Sequence, residues 1–100
     1  MKYNKLVRDK IPDIIKTKGG TPKTHCATNE EYLSKLEDKL REEMEEFLKD
    51  KNPEELADIL EVIKAFANLQ NLTLADIEKI RERKAKERGG FEKRIILDES

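Results

Sequence analysis

Tryptophan is absent from this 100-residue chain, only three Phe and two Tyr supply aromatic rings, and Cys26 is the single cysteine. One cysteine excludes an intrachain disulfide. No apolar run approaches the roughly 20 residues of a membrane span, and the basic N-terminal stretch lacks the apolar core of a signal peptide, so the cytoplasm is the expected compartment. A formal net charge of −1 argues against a general nucleic-acid-polymer or membrane binder. Internal repeats and low-complexity linkers are also missing.

What the chain has is charge. Asp, Glu, Lys and Arg make up 43% of it, against about 25% in an average soluble protein. The apolar residues are gathered into periodic segments, which predicts a folded all-α domain with a charged exterior. A single domain over residues 1–100 has room for one modest core, and self-association would enlarge it.

Pro12 fits the first turn of a short helix reaching about Lys16, stopped by Gly19-Gly20. Residues 21–28 read as an extended connector, since Pro22 and the threonines disfavour helix. Asn29 is the expected N-cap of a second helix running to about Lys49, with Glu30 and Glu31 favourable in its first turn. A short turn at residues 50–53 follows, where Asn52 and Pro53 form an N-cap and N1 pair. The third helix, to about Leu69, is apolar around most of its circumference and is expected to be central. So short a join predicts an antiparallel αα-hairpin. Thr73 caps a fourth helix from Leu74 to about Arg88, ended by Gly89-Gly90, and the tail at 91–97 reads as a short strand or an extended arm.

Two acidic pairs carry the chemistry. Glu43 and Glu46, then Glu55 and Asp58, have i, i+3 spacing, which puts both carboxylates of each pair on nearly one side of a helix. With 22 acidic residues in the chain, roughly five such pairs arise by chance, and an ordinary solvated acidic face explains them equally well. Position adds weight: the apolar stripe of the second helix runs Leu33, Leu36, Leu40, then Glu43, then Phe47. A carboxylate in a core slot must be paired, protonated or metal-bound. Across the hairpin turn the two pairs can face one another, and four converging carboxylates suit the hard cation Mg²⁺. His25 and Cys26, by contrast, point to opposite sides of an extended segment and have no third partner nearby, so neither a zinc site nor catalysis is expected of them.

At this point the chain resembles the all-α nucleoside triphosphate pyrophosphatases of the MazG superfamily, whose pattern is E-E-x-x-E followed by E-x-x-D. Here it reads Glu42-Glu43-Met44-Glu45-Glu46 and Glu55-Leu56-Ala57-Asp58. A small group related to phosphoribosyl-ATP pyrophosphohydrolase also carries the Tyr-Asn-Lys-Leu-Val-Arg-Asp-Lys-Ile-Pro and Arg-Gly-Gly-Phe motifs, matched at 3–12 and 88–91. The resemblance implies an antiparallel helical bundle, a homodimer or higher homo-oligomer, and Mg²⁺ held by Glu43, Glu46, Glu55 and Asp58. Glu42 and Glu61 become outer or solvent-facing neighbours. The implied reaction is hydrolysis of a nucleoside triphosphate, as house-cleaning of non-canonical nucleotides, to monophosphate and pyrophosphate.

For that reaction Glu43 or Glu46 is the candidate general base, with nothing in the sequence to choose between them. Lys5, Arg8, Lys84 and Arg88 are the candidate phosphate contacts, although most basic residues in such a chain are simply solvated. Asp9 is expected to be structural, orienting Arg8 or capping the helix that follows. Tyr3, Phe66 and Phe91 are the rings available to stack on a base; Phe66 belongs to the apolar face of its helix, which makes Phe91 the better candidate. Phosphoribosyl-ATP hydrolysis uses the same metal residues and stays open as a substrate, and a non-catalytic helical interaction module is the alternative from another class.

Overall fold

The computed structural model describes residues 4–100, and among them it contains four α-helices and no strand: α1 Ile11–Thr17, α2 Asn29–Asp50, α3 Pro53–Leu69 and α4 Leu74–Arg88. No helix among these residues is long and apolar enough to cross a membrane.

Local chemistry fixes the helix ends. In α1, Pro12 lies in the first turn, and the chain leaves through Gly19 at φ +90° with the Gly20 N–H donating to the Ile15 carbonyl at 2.9 Å. A Cβ on Gly20 would come within 2.6 Å of the Ile15 side chain, so the exit is tight as well as left-handed. The cap of α2 is Thr28, not Asn29: its hydroxyl accepts the Glu31 N–H at 3.2 Å from an extended backbone, and Asn29 is already helical. Both residue types cap well, and the backbone turns one residue earlier than expected.

Lys51 adopts the left-handed conformation at φ +56° and returns its N–H to the Phe47 carbonyl at 2.7 Å. Asn52 then caps α3 through a 3.0 Å bond from the Glu54 N–H, with Pro53 opening the helix. Only Lys51 and Asn52 separate α2 from α3, and the two pack as an antiparallel hairpin. Thr73 and Asp76 form a reciprocal capping box at the start of α4, which packs on α3 and ends at Gly89, φ +84°.

The core is small. Among the described residues Leu36, Val62 and Ala67 are the buried apolar ones, and Glu43 is buried with them. The sequence marks α3 as central, yet Leu56 and Leu60 on it are about half exposed in a single chain. Among the described helices α3 packs on α2 and α4, and the face carrying Leu56 and Leu60 stays exposed. The Cα radius of gyration, 17.6 Å, exceeds the roughly 13 Å of a compact 100-residue domain. The tail at 91–97 forms no strand, and Phe91, Ile95, Ile96 and Leu97 are all highly exposed along it.

Candidate metal centre

Glu43 takes the slot that the α2 stripe assigns to an apolar side chain, and it is only 7% exposed. Its Oε1 lies 3.6 Å from the Lys39 ammonium one turn earlier, while its Oε2 is buried without a hydrogen bond. Burial pushes the Glu43 carboxyl above its ordinary range, and the Glu46, Asp58 and Glu42 charges push the same way against the opposing pull of Lys39.

A second orphan lies across the turn. Glu55 Oε2, on the first turn of α3, is also buried without a partner. Its carboxyl is raised by desolvation first, then by Asp50 at the end of α2, with Glu46 and Asp58 adding to the effect. Glu46 and Asp58 therefore act on both Glu43 and Glu55, one residue from each helix. The short turn brings the two acidic pairs into one electrostatic neighbourhood.

They do not form a finished cage. Among the described residues no group of three or more His, Cys, Asp or Glu side chains stands close enough to hold a metal ion as placed. Two of the four carboxylates have side-chain cations as neighbours: Arg8 Nη2 donates to Asp58 Oδ1 at 2.7 Å, and the Lys39 ammonium lies 3.6 Å from Glu43 Oε1. In donor chemistry the residues nonetheless fit Mg²⁺: all are carboxylate oxygens, and two of them are buried atoms with unmet acceptor capacity.

The remaining candidates divide by place. Lys5 donates to Glu42 Oε1 at 3.0 Å, and that hydrogen bond holds the Glu42 carboxyl below its ordinary range against a smaller opposing effect of burial. Glu42 is thus a neighbour of the cluster facing Lys5 and Lys39, and Glu61 is exposed. Lys84 and Arg88 lie exposed on α4 and pair with none of the four carboxylates. Phe91 is 96% exposed, and Phe66 is half-buried on α3, nearer the core role expected of it. Tyr3 lies outside the described residues. His25 Nε2 shares a 2.9 Å hydrogen bond with Glu31, and Cys26 is exposed.

Two participants escape the motif. Lys39 is the resident cation of Glu43, and its i−4 spacing from that residue is the signal that could have found it. Asp50 acts on Glu55 from the other side of the two-residue turn, a proximity that follows once the turn length is known. A surface cavity of about 310 Å³ opens beside α1, lined by Lys10, Asp13, Ile14, Thr17 and Lys18, with none of the four carboxylates in its wall.

No family model, curated protein or solved structure matches this chain.

Proposed function

We propose that this protein is a Mg²⁺-dependent nucleotide pyrophosphohydrolase, cleaving a non-canonical nucleoside triphosphate to monophosphate and pyrophosphate. The observation that carries this reading is the buried Glu43 carboxylate, orphaned at Oε2 and sharing its surroundings with Glu46 and Asp58. A buried, under-compensated anion in an apolar stripe is a liability for a purely structural helix pair. It becomes an asset where a cation must be held.

In this reading Glu43, Glu46, Glu55 and Asp58 hold Mg²⁺. The bound metal would polarise phosphate oxygens and supply a more acidic water. Glu43 or Glu46 accepts the proton of the water that attacks the α-phosphorus, whose bond to the bridging oxygen then breaks to release pyrophosphate. Lys5 and Arg8 approach the phosphates from the N-terminal segment, Lys84 and Arg88 from α4, and Phe91 stacks on the base. The working unit is a homodimer or higher oligomer: Leu56 and Leu60 on one face of α3 supply apolar surface that a second copy would bury.

A second reading, a non-catalytic helical interaction module, draws support from the cations already seated on the cluster at Asp58 and Glu43. One assay separates the two. Pyrophosphate release is measured across canonical and modified triphosphates, with and without Mg²⁺, for wild type and Glu43→Ala. The enzyme reading expects Mg²⁺-dependent release from at least one triphosphate, abolished in the variant. No release from any of them would leave the interaction module standing.

A further inference from the structure

Residues 4–10 have no regular secondary structure, yet two of their cations reach two different helices. Lys5 Nζ lies 3.0 Å from Glu42 on α2, and Arg8 Nη2 lies 2.7 Å from Asp58 on α3. A step of three residues thus bridges the α2–α3 seam at the level of the acidic pairs. Between the two cations Leu6 is half-buried, and a cavity of about 190 Å³ separates this stretch from α2, with Lys39 and Glu42 in its wall. The segment is tied down by its charges and packed loosely between them.

The two ties have different partners. Glu42 already answers Lys39 as well as Lys5 and is not among the four carboxylates assigned to the metal. Asp58 is one of the four, and the Arg8 guanidinium occupies one of its oxygens. A guanidinium and a divalent cation seek the same carboxylate lone pairs, so they compete. The Arg8 and Asp58 side chains are 56% and 41% exposed, which makes their pair solvated, weak and exchangeable.

We propose that Arg8 is an exchangeable counter-ion of the carboxylate cluster: it holds Asp58 in the cation-free protein and is released when a divalent cation binds. Lys5 keeps the segment tethered to α2 during the exchange. The freed guanidinium stays beside the newly bound cation, where it can meet a phosphate-bearing ligand. Binding is therefore ordered, with the Arg8 anion site opening only after the cation is in place. This inference rests on the assignment of Asp58 to the metal site.

The test uses Mg²⁺ alone as the probe. Calorimetric titration of wild type, Arg8→Gln and Lys5→Gln compares two variants that each lose one positive charge from the same segment. Exchange at Asp58 makes Arg8→Gln bind Mg²⁺ about threefold more tightly, the scale of one exposed ion pair, and leaves Lys5→Gln closer to wild type. A general electrostatic effect would move both variants alike and overturn the proposal. In the wild-type protein the Arg8 side-chain NMR signal shifts toward that of a free arginine as Mg²⁺ is added. Mg²⁺ binding with an unmoved Arg8 signal overturns the exchange while leaving the metal site intact. No Mg²⁺ binding in any of the three proteins overturns both.

Discussion

The Lys39 ammonium stands 3.6 Å from Glu43 Oε1 and 3.7 Å from Glu42 Oε2, so one cation serves two successive carboxylates. Lys5 reinforces the compensation at Glu42, whereas Glu43 keeps a buried oxygen with no partner. A lysine placed N-terminal to its glutamate is also the weaker orientation of an i, i+4 helix pair. Lys39 thus leaves part of the buried Glu43 carboxylate uncompensated, and the consequences are measurable.

Replacing Glu43 by leucine should stabilise the metal-free protein. The variant continues the Leu36, Leu40, Phe47 stripe and removes a desolvated charge, a gain of about 1 kcal/mol or a rise of roughly 5 °C in Tm. Mg²⁺ should raise the Tm of wild type and have a much smaller effect on Glu43→Leu. Thermal melts with and without Mg²⁺ check both halves, and a lower Tm for metal-free Glu43→Leu would count against the account.

The pH dependence has a defined sign. The folded chain raises the carboxyls of Glu43 and Glu55, so the stability they contribute is full below their unfolded values and is lost as pH climbs through the raised folded values. Glu42, Asp76 and Glu78 are shifted down and behave oppositely, losing their contribution as pH falls through their folded values. Comparison with Glu43→Gln isolates the Glu43 part of the first effect. As pH is lowered from about 7 to about 4 in metal-free buffer, the stability difference should move in favour of wild type. Urea unfolding at each pH reads it directly.

The start of α4 depends on the Thr73 and Asp76 capping box, two reciprocal bonds of 3.1 and 2.8 Å. Thr73→Ala should cost about 1 kcal/mol in urea unfolding, because an orphan N–H loses its acceptor. Its Mg²⁺ affinity should match wild type, since none of the four carboxylates lies on α4.

The exposed leucines of α3 give a separate expectation. Leu60→Glu places a charge on the face assigned to a second copy, next to Leu56 one turn earlier. Sedimentation should find wild type self-associated and the variant shifted toward monomer, with loss of any concentration dependence in its Tm. A monomeric wild type at all concentrations would contradict the assignment.

Much of the helical layout is legible in the residues because local signals agree with one another. Thr73 ahead of Leu74, Gly89 after Arg88, and Asn52-Pro53 at the turn each meet a specific need of a helix end, and the observed bounds follow them. Glu43 stands out by the same logic, as a charge where the 3, 4 repeat asks for an apolar side chain. Adjacent Thr28 and Asn29 are both good caps, and only the backbone angles choose between them. The apolar circumference of α3 is plain in its residues, but a pattern of burial does not say which surface does the burying. The Arg8 to Asp58 contact joins positions 50 apart, one of them in a non-periodic segment, and no local rule reaches that far. Ile95 to Leu97 have strand character, but among the described residues there is no strand for them to pair with, and they remain exposed.

The central claim is that carboxylates from α2 and α3 close around a divalent cation. Anomalous X-ray diffraction from crystals grown with Mn²⁺, as a stand-in for Mg²⁺, tests it most directly. The expected result is a strong peak bounded by Glu43, Glu46, Glu55 and Asp58, with the Arg8 guanidinium withdrawn from Asp58. No peak at those side chains, with Arg8 still bound to Asp58, would contradict it.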